Sequence, residues 1–235
     1  LMQSNWSEAQ LQRAAALRHR LVSEALTKYN LSGSSWQRPA AANRGVLVVG
    51  QVESDASIRL GAPGFKSNMA LLQAVRVAEP DAFLVYKPHP DVVAGLCRSG
   101  VDEQRADAFC DQVISEGSIS SLFAQVDALH VLTSLAGFEA LLRRVEVHCW
   151  GLPFYAGWGL TQDRHQCQRR GRALSLDGLV HGALIDYPLY VSRHSGWFIT
   201  PEQAIDELVA WRQAPPARRS LVQALFRYWG RLRHR

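Results

Sequence analysis

Four short stretches hold residues whose types and spacing could do chemistry. Tyr86-Lys87-Pro88-His89-Pro90-Asp91 sets a cation and an imidazole on a turn stiffened by two prolines. Lys87 and His89 there suit a phosphate ester, although the same turn also fits an incidental surface histidine. Thr133 and Ser134 open the stretch Leu135-Ala136-Gly137-Phe138-Glu139, where two hydroxyls and the N–H groups of a helix start would form an anion site. An ordinary helix cap uses the same residues. Glu139, inside an otherwise apolar run, suits a ribose diol or faces solvent. Gln51, Glu53, Asp55 and Ser57 alternate, so all four would share one side if the preceding strand continued. Two carboxylates so placed serve as nucleophile and proton carrier, or as a solvated edge. Finally, GLPFYAGWG at 151–159 sets Phe154, Tyr155 and Trp158 among glycines, as an aromatic wall beside a sugar or as a packed loop.

These clusters matter together only if the chain brings them to one edge. Val46-Leu47-Val48-Val49 is an apolar, β-branched run, as expected of a parallel strand buried on both faces. Further strands are expected at 82–86, 112–114, 128–132 and 145–149, with helices at 68–78, 102–110, 118–125 and 134–143 between them. This alternation predicts a Rossmann-like, doubly wound parallel α/β sheet with flanking helices. Ligands of such sheets bind beyond the carboxyl ends of the strands, where all the polar clusters fall. Before the sheet, Ser7 with Gln10 has capping-box spacing and opens a helix expected to run to Lys28. Helices are also expected from Ser175 and, capped by Thr200 with Pro201 next, to about Trp211. The organisation is thus a connector helix and hinge loop over 1–43, a ligand-binding lobe over 44–213 and a basic tail over 214–235.

A chain of 235 residues with 47% hydrophobic residues can bury a substantial core. No apolar run is long enough to span a bilayer, and no signal peptide pattern opens the chain. Cys97, Cys110, Cys149 and Cys167 lack metal-ligand or disulfide spacing, which suits reduced cytosolic thiols. The net charge of +5 gathers largely in the arginines of the tail. The body has no basic, aromatic-interleaved surface, so no nucleic-acid partner is expected.

Taken together, GQVESDASIRLG, YKPHPDVVAG, TSLAGFEALLR and GLPFYAGWGLT closely resemble the bacterial capsule polysaccharide β-Kdo transferases of the KpsC type. LTKYNLSG, LSLDGLVHGALIDYPLYV and TPEQAIDEL extend the resemblance from about Leu11 to Leu208, closest to the second, C-terminal transferase module. The resemblance implies one lobe of a GT-B glycosyltransferase that uses CMP-Kdo. It further implies retention of anomeric configuration, growth of a Kdo linker on lyso-phosphatidylglycerol, and no cofactor or metal. On it, Asp55 is the candidate nucleophile and Glu53 a weaker candidate for proton transfer. Lys87 and His89 bind the CMP phosphate, and Thr133, Ser134 and Glu139 hold phosphate and ribose, with Gln51 and Ser57 also on the donor side. Tyr155 and Trp158 line the sugar or acceptor. No ligand-spaced His/Asp cluster or paired acidic motif is seen to hold a metal.

Two positions depart from the family. Ser54 stands where Asp is common, and Arg144 where Gly is usual. The acidic motif of the family's first lobe is also absent, so the chain reads as the donor half of a module whose N-terminal lobe is missing. Ser220 to Arg235 places Leu221, Val222, Leu225, Phe226, Trp229 and Leu232 on one helical face with arginines around it. That pattern suits the anionic surface of the inner membrane or packing on the domain, and implies a cytoplasmic, peripheral protein. Two other readings stand beside this one: a sialyltransferase-like CMP-sugar enzyme, and an orphan nucleotide-binding or membrane-associated lobe without activity.

Overall fold

The structure is a computed structural model that describes residues 1–28 and 36–214. Six strands form one parallel sheet: β1 (Gly45–Val49), β2 (Phe83–Lys87), β3 (Gln112–Val113), β4 (Ala128–Val131), β5 (Glu146–Cys149) and β6 (Gln162–Asp163). Their order is β3-β2-β1-β4-β5-β6, so the direction of winding reverses between β1 and β4. That order is Rossmann-like, and the reversal opens a crevice beyond the carboxyl ends of those two strands. Every residue of β1 and β4 is buried, which is why β1 reads as an apolar run and β4 as one interrupted only by His130.

Helices cover both faces. On one, α1 (Glu8–Ser23), α5 (Ile119–Phe123), α6 (Leu135–Leu142) and α7 (Leu176–Val180) pack on Leu47, Val49, Leu129, Val131 and Val147. On the other, α2 (Ala56–Gly61), α3 (Asn68–Ala78) and a 3₁₀ turn (Glu103–Ala108) pack on Val46, Val48, Leu84, Tyr86 and Leu132. Leu47, Leu71, Leu72, Leu84 and Leu129 are wholly buried, and truncating any of them to Ala costs about 2–5 kcal/mol. A one-turn helix α4 (Pro90–Val93) follows β2. A two-stranded antiparallel hairpin, β7 (Tyr190–Val191) and β8 (Phe198–Ile199), precedes α8 (Pro201–Gln213). Ile205 of α8 joins Leu17 and Leu26 in a small satellite core.

The main departures from expectation have local causes. Helix α1 has its capping box, Ser7 with Gln10, but ends at Ser23 rather than Lys28. Ala25 turns left-handed at φ 49°, and the N–H groups of Ala25 and Leu26 return to Val22 and Leu21. That Schellman closure tucks Leu26 into the core. The stretch from Gln51 to Ser57 does not continue β1. It turns, and Asp55 becomes the N-cap residue of α2, so the four polar residues do not share one strand face. The expected helix at 102–110 is the 3₁₀ turn. Strand β6 and helix α2 are too short to show a hydrophobic period. Residues 29–35 of the hinge loop and 215–235 of the basic tail lie outside the described residues.

Candidate functional site

The carboxyl ends of β1 and β2 and the start of α6 enclose a cavity of about 80 Å³. Its walls include Gly50, Lys87, His89, Ser134, Ala136 and Glu139, and the arriving segment Thr27-Lys28. Four expected donor residues, Lys87, His89, Ser134 and Glu139, therefore meet in one place. Thr27 and Lys28 are additions, visible beforehand only as part of the LTKYNLSG resemblance.

The β2 bank carries the positive charge. Lys87 is buried at 5% exposure, and its Nζ donates to the Glu116 carbonyl at 3.3 Å. Burial lowers its pKa from the ordinary lysine value, and among the described residues no carboxylate pairs with it. Such a desolvated cation gains most from an anion brought to it. His89 is the N-cap residue of α4, and its Nδ1 accepts the Asp91 N–H at 3.2 Å. A neutral ring so held carries its proton on Nε2. Burial lowers the His89 pKa, Asp91 opposes that shift, Lys28 adds to it, and Asp55 and Glu103 oppose it.

The opposite bank is the first turn of α6. Ser134 caps the helix, its Oγ accepting the Ala136 N–H at 3.2 Å, so the positive end of the helix dipole faces the cavity. Tyr155 Oη donates to the Ser134 carbonyl from beneath. A Cβ on Gly137 would lie 2.1 Å from that Oη, so the glycine of TSLAGFE exists to admit the tyrosine of GLPFYAGWG. Glu139 is buried rather than solvent-facing. Its Oε1 accepts the Lys28 N–H at 2.6 Å, and burial raises its pKa.

This corrects the reading of the aromatic loop. Tyr155 is fully buried and Trp158 is 4% exposed, with Trp158 Nε1 donating to the Phe154 carbonyl, so neither ring can line a sugar. They hold the loop and α6 in place. Only Phe154, 41% exposed, reaches an apolar groove of about 910 Å³. That groove shares Thr27, Leu135 and Glu139 with the cavity, so the two adjoin across those residues.

The remaining expected residues divide by role. Gln51 and Thr133 bind each other across the β1–β4 reversal: Gln51 Nε2 donates to Thr133 Oγ1 at 3.0 Å, and Gln51 Oε1 accepts Thr133 N–H at 2.9 Å. That clamp uses the groups expected to touch a donor and leaves both residues fixing the crevice. Glu53 accepts the Asn68 and Val101 N–H groups at 2.7 and 3.2 Å, one on each oxygen, and so positions α3 and the loop after Cys97. Proton transfer is a poor fit for a carboxylate so occupied. Asp55 is exposed and makes no side-chain cap bond, while Ser57 is exposed in the first turn of α2. Neither lines the cavity, but the Asp55 charge acts on His89. Gly50, between the banks, has no room for a side chain. Its Cβ would meet Tyr86 Oη at 2.5 Å, where that hydroxyl binds Glu103.

One cluster with metal-ligand geometry emerges that spacing alone hid. Glu79, His130 and His148 offer ligand atoms within 4.8 Å of one another, on the α3 side of β4 and β5. However, Trp150 Nε1 donates to His130 Nδ1 at 3.0 Å, which leaves the ring proton on Nε2, the atom facing Glu79 at 3.7 Å. A ligating histidine donates from its second nitrogen instead. The two rings stack, His130 bonded to Trp150 and His148 to Glu146, rather than forming a ready ligand set, and burial pushes the His130 pKa down to about 3.

Comparison with known proteins agrees with this architecture. The profile of a family described as capsule polysaccharide biosynthesis protein matches residues 4–198. The capsule polysaccharide modification protein LipA of Neisseria meningitidis serogroup B is 42% identical over 209 residues, covering 89% of this chain and 30% of LipA. The lipopolysaccharide-processing protein LpsZ of Rhizobium meliloti is 38% identical over 193 residues, covering 81% of this chain and 44% of LpsZ. Two solved structures of KpsC from Thermosulfurimonas dismutans superpose well. The β-Kdo 2,7 transferase has a TM-score of 0.75 at 40% identity, and the β-Kdo 2,4 transferase has 0.78 at 28%. They cover 89% and 88% of this chain, and 64% of each solved chain. This chain thus spans less than half the length of the curated relatives, and it belongs to the capsule polysaccharide biosynthesis family as a Rossmann-like lobe of KpsC type.

Proposed function

We propose that this chain is the donor-binding half of a retaining β-Kdo transferase that takes Kdo from CMP-Kdo. The observation that carries the reading is the buried Lys87, beside His89, facing the positive end of α6 across a small cavity. A sugar nucleotide with one phosphate places one anionic group there. Lys87, His89 Nε2–H and the α6 N–H groups balance the charge that grows on that phosphate as the sugar leaves. Glu139, held by the Lys28 N–H, is placed for a ribose hydroxyl. No divalent cation is required by this arrangement, so chelators leave donor binding unchanged.

Retention follows from two displacements. The Asp55 carboxylate attacks the anomeric carbon, a carbon–oxygen bond to Asp55 forms, and the bond to the CMP phosphate breaks with its electron pair on CMP. An acceptor hydroxyl then attacks the same carbon, passing its proton to a base of the facing lobe, and the bond to Asp55 breaks with its electron pair returning to the carboxylate. The acceptor is a Kdo-bearing lyso-phosphatidylglycerol at the cytoplasmic face of the inner membrane, and the product is a Kdo linker for capsule polysaccharide. The higher identity to the 2,7 transferase, 40% against 28%, favours that linkage. On this reading the acceptor and part of the catalytic apparatus belong to a facing N-terminal lobe, which the 64% coverage of the solved chains leaves room for.

The test compares CMP-Kdo with CMP-sialic acid on the purified chain. The expected result is weak binding of CMP and CMP-Kdo with little or no transfer, and transfer once the facing lobe is supplied. Rapid transfer by the chain alone overturns the half-site reading, and equal use of CMP-sialic acid overturns the donor assignment.

A further inference from the structure

The β7–β8 hairpin carries an apolar patch that the fold leaves uncovered. Tyr187, Leu189, Val191, Trp197 and Phe198 are 88%, 81%, 54%, 77% and 72% exposed. Single exposed apolar residues are ordinary, but five within one short segment are not. Val191 and Phe198 are paired in register, so their side chains stand together, with Leu189 two residues earlier on the same side. Tyr190 points the other way, its Oη donating to the Leu184 carbonyl at 2.8 Å, and Trp197, opposite Ser192, alternates to that second face next to the tip, so the hairpin presents apolar side chains on both faces.

The turn is rigid. Ser192 is 6% exposed, and its Oγ donates to Glu207 Oε1 at 2.6 Å and accepts the N–H groups of His194 and Ser195, each at 3.1 Å. Glu207 Oε2 accepts the Arg193 N–H at 2.9 Å, and Gly196 supplies a left-handed φ of 74°. The patch is thus bolted to α8 and loses little freedom on docking. The hairpin itself carries only positive charge, and the carboxylate held against its turn is Glu207 of α8. Residues 187–201 contain no Asp or Glu, whereas Arg193 and His194 sit exposed at the tip. The following sequence, 215–235, has arginines and no carboxylate.

We infer that this hairpin is a membrane-contacting element, seating Trp197, Phe198, Leu189 and Tyr187 among the headgroups of anionic lipid while Arg193 and His194 meet the phosphates. Trp and Tyr beside basic groups are the residues that a membrane interface selects. Tyr187 and Tyr190 also line the apolar groove that adjoins the cavity, so contact here turns the groove toward the lipid. The inference is independent of the transfer reaction, since vesicle binding is measured without sugar nucleotide.

The experiment sediments the full chain with phosphatidylcholine vesicles, with and without phosphatidylglycerol. The chain is expected to bind vesicles containing phosphatidylglycerol, and Trp197→Ser/Phe198→Ser to lower its partition coefficient about tenfold or more. Val77→Ser, which alters another exposed side chain at 82%, is expected to change nothing. Arg193→Glu/His194→Glu is expected to reduce the preference for phosphatidylglycerol, the arginines of 215–235 supplying the remainder. Trp197→Phe, which preserves the fold, is expected to reduce fluorescence quenching by brominated lipid. Wild-type binding retained by the double serine variant, or undiminished quenching in Trp197→Phe, overturns the inference. So does loss of self-association without loss of vesicle binding, which identifies a protein-docking face instead.

Discussion

The two edges of the sheet treat charge in opposite ways. At the amino-terminal edge, carboxylates close the strand starts and are themselves neutralised. Asp127 accepts the Gly45 N–H at 2.8 Å and pairs with Arg38, while Asp111 accepts the Leu84 N–H at 2.7 Å and pairs with Arg76. Arg44 makes a two-pronged bridge to Glu79 and reaches Glu146. At the carboxyl edge, Lys87 is more deeply buried than any of those arginines, yet its bond is to a carbonyl. Charge at one edge is spent inside the fold, and at the other it is kept available to an anion. Pairing marks structure here, and a desolvated cation without a carboxylate marks function.

The largest expected effect tests that contrast directly. Lys87→Met should weaken CMP binding about 100-fold, or ~2.7 kcal/mol, by titration calorimetry. It should also raise the unfolding midpoint, because a desolvated charge is removed. Arg44→Met should do the reverse, losing about 1 kcal/mol of stability while leaving CMP affinity within about twofold. If Lys87→Met destabilises the fold and spares CMP binding, the two edges are not different in kind.

A smaller effect comes from His89. Burial holds its folded pKa below the ordinary histidine value, so the folded chain binds fewer protons than the unfolded chain as pH falls below that value. Stability without ligand should therefore decline as the pH drops from the ordinary histidine pKa toward the folded one. A bound phosphate raises the same pKa, so affinity for an anion should climb over that interval, by at most about tenfold per pH unit. Cytidine 5′-methyl phosphate, whose diester charge is fixed, separates this from titration of the ligand. His89→Asn should flatten both trends. Parallel slopes in wild type and variant would remove His89 from the anion site.

Much of this was legible because parallel strands announce themselves. β1 and β4 bury both faces, which calls for mainly apolar runs, and the one polar residue of β4, His130, is buried with Trp150 Nε1 bonded to its ring. The KPHP turn and the TSLAGFE helix start were legible for a related reason, since each follows such a run. What spacing does not encode is which way a side chain points in a loop. Tyr155 and Trp158 have the composition of a ligand wall and serve as core, and the available signal was Gly137, a helix-interior glycine that needs a reason. Alternation in GQVESDAS suggested a strand, but Ile58, the one wholly buried side chain of α2, is too little period to reveal a helix. Lys28 reaches the cavity only because Ala25 ends α1 early, a left-handed turn that alanine gives no hint of.

The smallest effect lies at the amino-terminal edge, where α6 passes into β5. Arg144 adopts φ 61°, and the N–H groups of Arg144 and Val145 return to Leu141 and Ala140, closing α6 as Ala25 closes α1. Glycine adopts that conformation without cost, which gives a physical reason for the glycine that the family resemblance leads one to expect at this position. Arg144→Gly should therefore stabilise the chain by about 1 kcal/mol, read as a shift in denaturation midpoint at constant slope. The turn lies away from the cavity walls, so CMP affinity should not move. A gain in stability that came with a loss of binding would show the two edges to be coupled through α6, whose other end carries Ser134. An unchanged affinity would confirm that stability can be adjusted at one edge while the anion site at the other keeps its charge.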